Sequence, residues 1–312
     1  LEFRRVLFRS GNPAYLSLQN NQLVIKLPEV ERNASLPDSF KKETVVTKPI
    51  EDIGLVVLDN KQITITSGVL ETLLENNCSI ITCDSKSMPV GLMLPLYGNT
   101  VQNERFREQL SASLPLKKQL WQQTIKAKIE NQSAVLVNCL GEESRCMKVW
   151  ADDVKSGDSE NLEARAAAYY WKTLFADIDG FTRDREGISP NNLLNYGYAV
   201  LRAIIARALV SSGLLPTLGI HHHNRYNAYC LADDIMEPYR PYVDELVFGL
   251  IQQHGKNLEL TRDIKAKLLT IPTLDVIISG KRSPLMIAAS QTTASLYKCF
   301  SGELRRIVYP ER

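Results

Sequence analysis

Histidine is scarce in this chain, and three of its four copies are consecutive, at His221, His222 and His223. Three adjacent imidazoles have little use in a packed core, and an internal cluster is not an expression tag. Twelve residues beyond His222 stands Asp234, and fifteen beyond it stands Glu237. Positions i and i+3 of a helix share a face, so Asp234 and Glu237 would project together, whereas Asp233 points elsewhere and suits a helix start. Paired carboxylates with an imidazole form a ligand set for Mg2+ or Mn2+: oxygen donors suit both ions, and the one nitrogen admits Mn2+. A solvated acidic helix start beside a polar loop would show the same spacing.

Glu163 is the other candidate. It opens Glu163-Ala164-Arg165-Ala166-Ala167-Ala168-Tyr169-Tyr170-Trp171. Ala166, Ala167 and Tyr170 share its helical face, so the carboxylate sits over a surface with little bulk, which lets another helix or a nucleic-acid backbone approach closely. Taken alone, Glu163 is equally a first-turn acid favoured by the helix dipole on a plain packing helix.

The elements that must position these residues fall into two blocks. Residues 11 to about 95 read as β-rich. Leu16-Ser17-Leu18 and Leu23-Val24-Ile25-Lys26-Leu27 flank Gln19-Asn20-Asn21-Gln22, a hairpin with turn-forming asparagine at its tip. Residues 53–58 and Ile63-Thr64-Ile65 are further β-branched runs, and Ser79-Ile80-Ile81-Thr82-Cys83 reads as a strand. Between them, Ser67 reads as the N-cap of a helix through Leu70, Leu73 and Leu74. These pieces suit a small sheet with one packed helix. Turn residues Tyr97-Gly98-Asn99-Thr100 mark a boundary. Beyond Glu104 the apolar spacing turns helical, over residues 116–136, 162–175, 192–210, 235–252 and 292–304. The fold class expected is α+β: a small β-rich domain over residues 11–100, then a larger all-α domain over residues 101–312.

In combination, Glu163-Ala164-Arg165-Ala166-Ala167, then Gly219-Ile220-His221-His222, then Asp234-Ile235-Met236-Glu237-Pro238-Tyr239-Arg240-Pro241 resemble the CRISPR-associated spacer-acquisition integrases. Asn192-Leu193-Leu194-Asn195-Tyr196-Gly197-Tyr198-Ala199 resembles the long central helix of their type II lineage. Gly11-Asn12-Pro13-Ala14-Tyr15-Leu16 and Arg282-Ser283-Pro284-Leu285 extend the likeness over residues 11–312. The resemblance implies an N-terminal β domain and a helical domain carrying a metal site. It maps the metal-binding and catalytic residues onto Glu163, His222 and Glu237, with Asp234 a neighbouring acid. His222 is chosen because the family motif runs Gly, two residues, His; His221 and His223 stay open at this point.

The reaction so implied is transesterification, in which the 3′-hydroxyl of a new DNA fragment attacks a phosphodiester at a repeat boundary with the help of Mg2+ or Mn2+. The implied partners are DNA (spacer fragment and repeat array), a second copy of the chain in a homodimer, and a small second CRISPR adaptation protein. Spacers vary in sequence, so DNA would be held by its backbone. The candidate contacts are Arg225 and Arg240, then Lys172, Arg183, Arg185 and Arg202, with Lys117, Lys118, Lys126 and Lys128 on one helix. Tyr169, Tyr170 and Trp171 could stack on a splayed base, although core packing is their commoner role. Without metal the gathered carboxylates would repel one another and raise a carboxyl pKa. Two other readings use the same residues: a metal-dependent nuclease cutting branched DNA or RNA with water as nucleophile, and a non-catalytic DNA-binding scaffold.

Composition bounds these readings. The 312 residues, 44% hydrophobic and 23% charged, suffice for one large or two ordinary globular domains. The first ten, Leu1-Glu2-Phe3-Arg4-Arg5-Val6-Leu7-Phe8-Arg9-Ser10, match the in-frame translation of a short-read sequencing adapter and are set aside as foreign; a basic N-terminal strand is the alternative. They hold three Arg and one Glu, a net +2 equal to the whole chain's formal charge, so overall charge indicates no partner. Residues 104–312 carry 27 basic and 24 acidic side chains against 7 and 10 in residues 11–103, which makes the C-terminal part the better anion binder. No apolar run approaches the ~20 residues that span a bilayer. The six cysteines show no Cys-x-x-Cys pairing, so reduced thiols, a cytoplasmic location and no membrane association are expected.

Overall fold

Asn20 and Asn21 both adopt left-handed backbone, at φ 50° and 57°. Asparagine tolerates this conformation, and a two-residue hairpin turn whose twist matches its strands demands it. The two residues join Ala14–Gln19 to Gln22–Lys26 in antiparallel register, with Leu16 opposite Ile25 and Leu18 opposite Leu23, as the sequence pattern anticipates. The computed structural model describes residues 6–312 apart from 86, 87, 142, 185 and 186. Contacts divide the chain into two compact units, Leu1–Leu96 and Tyr97–Arg312.

In the first unit the strands are β1 (Val6–Ser10), β2 (Ala14–Gln19), β3 (Gln22–Lys26), β4 (Val46–Pro49), β5 (Ile53–Leu58), β6 (Ile63–Ile65), β7 (Ser79–Cys83) and β8 (Pro89–Met93). Helices α1 (Pro28–Glu31), α2 (Asp38–Glu43) and α3 (Ser67–Glu75) lie between them. Two four-stranded sheets result, ordered β1-β5-β7-β8 and β4-β3-β2-β6, where a single small sheet was expected. Ile53 through Val57 of β5 are all buried, as suits a strand between the parallel neighbours β1 and β7. Ala14, Leu16 and Leu23 from one sheet meet Ile53, Val56 and Ile80 from the other, with Val69 and Leu73 of α3, in one core. The α3 N-cap is Thr66 rather than Ser67. Of the ten residues read as foreign, 1–5 lie outside the described residues, and Val6–Ser10 pairs with β5 as β1.

The second unit contains α4 (Gln102–Ser111), α5 (Leu114–Leu140), α6 (Arg145–Asp153), α7 (Leu162–Leu174), α8 (Asn191–Ser211), α9 (Cys230–Met236), α10 (Arg240–His254), α11 (Arg262–Leu268) and α12 (Leu285–Phe300). Helix α8 is its spine, buried along nearly its whole length. Gly197 on α8 admits α10 closely: a Cβ there would lie 2.5 Å from Val243 Cγ1. Helix α8 is also long and apolar enough to cross a bilayer, which corrects the sequence reading on that point, but 78% of its apolar stretch is buried within the protein. The helix expected over residues 235–252 is broken by a 3₁₀ turn at Glu237–Tyr239, because Pro238 and Pro241 have no N–H to give the ladder. A hairpin of β9 (Asp275–Ile278) and β10 (Lys281–Pro284) interrupts the helical series, a feature the all-helical expectation lacked. The fold class holds: α+β, a β-rich N-terminal region followed by a larger helical one.

Candidate functional site

Trp121, Thr124, Lys128 and Asn131 recur at intervals of three and four along α5, so they form one stripe on its surface. All four are buried. Trp121 stacks on His221, ring centroids 4.1 Å apart and 1° from parallel, and meets His222 edge-on at 5.6 Å. Further along, Lys128 Nζ lies 2.6 Å from Glu163 Oε1 and 2.6 Å from Glu237 Oε2. Asn131 Nδ2 donates to Pro238 O at 2.8 Å and to Pro310 O at 3.0 Å, which pins the turn carrying Glu237. Lys128, read from the sequence only as a candidate DNA contact, stands instead between the two carboxylates. Its signal was a lysine placed on the stripe of Trp121 and Ile125, the face that α5 otherwise buries.

Glu163 is set by the start of α7. The Asp158 carboxylate accepts the Leu162 and Glu163 N–H groups at 2.9 and 3.0 Å and so satisfies two donors that a helix start leaves open. Ala166 and Tyr170, on the same face as Glu163, are buried, and α7 packs on α5. The small face thus admits a helix, one of the two approaches its lack of bulk allows. Tyr169 sits edge-on to Trp150, Tyr170 donates to Asp244 Oδ2 at 3.0 Å, and Trp171 stacks on Phe175, so these aromatics serve packing.

Asp234 and Glu237 do different work. Asp234 is fully buried; its Oδ2 accepts the Ile220 and His221 N–H groups at 2.7 and 2.9 Å, and its Oδ1 accepts His222 N–H at 3.2 Å and meets His222 Nδ1 at 2.5 Å. The loop from Gly219 to His222 is wrapped around this one carboxylate. A Cβ at Gly219 would stand 2.4 Å from His222 O and 2.8 Å from Asp234 Oδ2, which gives the Gly-x-x-His spacing a steric reason. A carboxylate only accepts, so His222 Nδ1 carries a proton, and in the neutral ring Nε2 keeps its lone pair. The Asp234 hydrogen bond raises the His222 pKa against the effect of burial, and the Glu237 and Glu163 charges add to the rise. His221 is lowered, by burial first and by His222 second.

Burial alone would raise the Glu237 carboxyl, but Arg240 and Lys128 outweigh it and hold the group below the ordinary carboxylate value. Arg240 reaches Glu237 Oε1 at 2.9 Å. This corrects the expected raised carboxyl: the protein supplies its own countercharge. A strongly raised carboxyl stands elsewhere, at Asp244, which burial pushes up to about 7 even though Tyr198 and Tyr170 donate to it. Arg240 lies over the Tyr198 ring, 4.7 Å from its centroid.

The basic candidates separate in the same way. Lys128 and Arg240 are committed to the carboxylates. Arg183 is held by Asn191 and Asn195, at 2.9 and 2.6 Å. Arg202 pairs with Asp233 at 2.6 Å yet stays 41% exposed, and Lys126 pairs with Asp152. Arg225, Lys172 and Lys118 are exposed, Lys117 is half-buried, and Arg185 lies outside the described residues. Arg225 and Lys117 line a cavity of about 330 Å³ with His222 and His223.

Among the described residues, no three His, Cys, Asp or Glu side chains are gathered closely enough to hold an ion as they stand; Lys128 lies between the carboxylates. The donor chemistry nevertheless fits a divalent ion. Glu163 Oε1 and Glu237 Oε2 already flank one cation, and the Lys128 contact with the buried Glu237 Oε2 is close but not aligned as a hydrogen bond, so that oxygen retains capacity. His222 adds an available nitrogen.

The sequence matches the family described as CRISPR associated protein Cas1 over residues 7–271. The chain belongs to the Cas1 family. It is 38% identical over 284 residues to the CRISPR-associated endonuclease Cas1 of Neisseria meningitidis serogroup C (strain 8013), covering 90% of this chain and 86% of that protein. Two solved structures share the fold. A casposase bound to integration product gives a TM-score of 0.75 at 20% identity, covering 97% of this chain and 92% of that one. A chain of a Cas6-RT-Cas1--Cas2 complex gives 0.70 at 18% identity, covering 98% of this chain and 36% of that one.

Proposed function

We propose that this chain is a metal-dependent DNA integrase that inserts new spacer DNA into a CRISPR array by 3′-hydroxyl transesterification. The observation that carries this reading is the meeting of Glu163 and Glu237 about a single cation, beside a histidine whose Nδ1 is held by Asp234. Mg2+ or Mn2+ held by Glu163, His222 and Glu237 would lower the charge on the attacked phosphate and favour the alkoxide nucleophile. The chain's own residues prepare for this. Asp234 keeps the proton of His222 on Nδ1, Arg240 keeps Glu237 ionised, and the α5 stripe fixes their relative positions in advance, so little reorganisation accompanies the chemistry. In the exchange a P–O bond forms to the incoming 3′-oxygen while the P–O bond of the repeat strand breaks. The attacking hydroxyl loses a proton, the departing oxygen gains one, and no water is consumed.

DNA would be held through its phosphates by the exposed cations Arg225, Lys172 and Arg202. A homodimer joined by a small second adaptation protein belongs to the same reading, as do the type II lineage and a cytoplasmic location; the Cas6-RT-Cas1--Cas2 complex supports the second protein, and the Neisseria relative supports the lineage. The test supplies a DNA fragment bearing a free 3′-hydroxyl and a repeat-containing plasmid in Mg2+ or Mn2+. Joined product supports integration. Nicking without joining would favour the nuclease reading, to which the relative's name endonuclease lends weight, and binding without either reaction would favour the scaffold.

A further inference from the structure

Lysine is almost never buried unless it is paired, and Lys128 is buried with a side chain only 10% exposed. It makes two short contacts of the same length, 2.6 Å to Glu163 Oε1 and 2.6 Å to Glu237 Oε2. The two oxygens are therefore no further apart than twice that distance, with the ammonium between them. Arg240 approaches the same cluster from a different direction, through Glu237 Oε1, and leaves Oε2 to Lys128. The local charges already balance: two carboxylates face one ammonium and one guanidinium.

Resting on the reading of Glu163, His222 and Glu237 as metal ligands, we propose that Lys128 is an internal counter-cation that competes with the divalent ion for Glu163 and Glu237, so that the ion binds only as the ammonium withdraws. Two physical arguments support this. Oxygen ligands sit about 2.0–2.6 Å from Mg2+ or Ca2+-sized ions, which is the space the ammonium takes between these oxygens. If Lys128 stayed, two carboxylates would face the ion and two further cations, and like charges at such distances in a buried site repel strongly. Lysine is suited to withdrawal because its charge rides on a flexible four-carbon stem, whereas the planar fork of Arg240 stays on its carboxylate. Lys128 would thus hold the site closed and neutral without the ion and set how tightly the ion is held.

The test measures Mn2+ binding by electron paramagnetic resonance, and melting temperature with and without Mn2+, for the full chain and for Lys128→Met. With the competing charge removed, Mn2+ should bind at least about ten-fold tighter. The metal-free variant should melt lower than the wild type, because the buried Glu237 and the half-buried Glu163 lose their shared partner, and Mn2+ should raise its melting temperature by more. A second measurement needs no variant. Acetylation of wild-type lysines, read by mass spectrometry, should find Lys128 protected without Mg2+ and several-fold more reactive with it, while Lys126 is unchanged. Unchanged or weaker Mn2+ binding in a folded Lys128→Met variant, or Lys128 acetylation indifferent to Mg2+, overturns the proposal. If Glu163→Gln also abolishes Mn2+ binding, the metal reading of the site survives that failure; if the wild type binds no Mn2+, both fall.

Discussion

Asp234→Asn changes almost no volume and yet removes the acceptor on which the histidine loop is built. The two carboxylate oxygens accept from four donors: Ile220 and His221 N–H on Oδ2, His222 N–H and Nδ1–H on Oδ1. An amide keeps one accepting oxygen and turns a donor toward the other pair. With the oxygen left to Ile220 and His221, the backbone N–H of His222 faces another N–H, and the ring must move its proton to Nε2 to accept at Nδ1. A hydrogen bond to a charged group contributes about 1.5–3 kcal/mol, and an orphaned donor costs about 1–3 kcal/mol. The His222 side chain is 45% exposed, so water offsets part of this, and a loss of roughly 3 kcal/mol is expected. The tautomer change also closes the available nitrogen, and loss of such a supporting carboxylate typically costs about 10–100-fold in metal affinity. Urea unfolding and Mn2+ titration of the same sample measure both effects. Stability within about 1 kcal/mol of the wild type, together with unchanged Mn2+ affinity, would refute the reasoning.

Gly219→Ala places a methyl 2.4 Å from His222 O and 2.8 Å from Asp234 Oδ2, and should destabilise by about 1–3 kcal/mol and weaken Mn2+ binding by displacing His222; a melting temperature and affinity equal to wild type would contradict the close packing. Asp244 gives a pH signature. Its carboxyl is raised from 3.8 to about 7, so the folded state holds its proton more tightly than the unfolded state. The resulting stability is full below about pH 4 and is lost as pH rises through about 7. Between pH 5 and 8 the wild type should therefore lose on the order of 2–3 kcal/mol that Asp244→Asn does not, and parallel pH profiles of the two proteins would show that Asp244 titrates in its ordinary range.

How much of this was legible in the sequence depended on whether the deciding contact was local. The Asn20-Asn21 turn was, because the backbone conformation it needs is a property of those two residues. So was the long apolar helix α8, whose composition alone demands burial. The histidine cluster and the two glutamates could be selected as unusual residues, but their arrangement could not. Asp234 and Glu237 share a spacing, yet Pro238 and Pro241 end α9 between their two environments, and one carboxylate turns to a loop fourteen residues back. Lys128 resembled its neighbours Lys117, Lys118 and Lys126 as a solvated charge. Only the approach of α7 and of the Glu237 turn to the same face of α5 distinguishes it. The second sheet escaped for a similar reason: β4 is a short, exposed edge strand with little apolar pattern of its own.

The most direct measurement is strand transfer of a 3′-hydroxyl DNA fragment into a repeat-containing plasmid, in Mg2+ and in Mn2+, by Glu163→Ala, His222→Ala and Glu237→Ala beside the wild type. Each variant should bind DNA nearly as well as the wild type, since phosphate contacts from Arg and Lys supply that affinity, while joined product falls to background. Retention of strand transfer by all three variants, with DNA binding intact, would show that the chemistry is done elsewhere in the molecule.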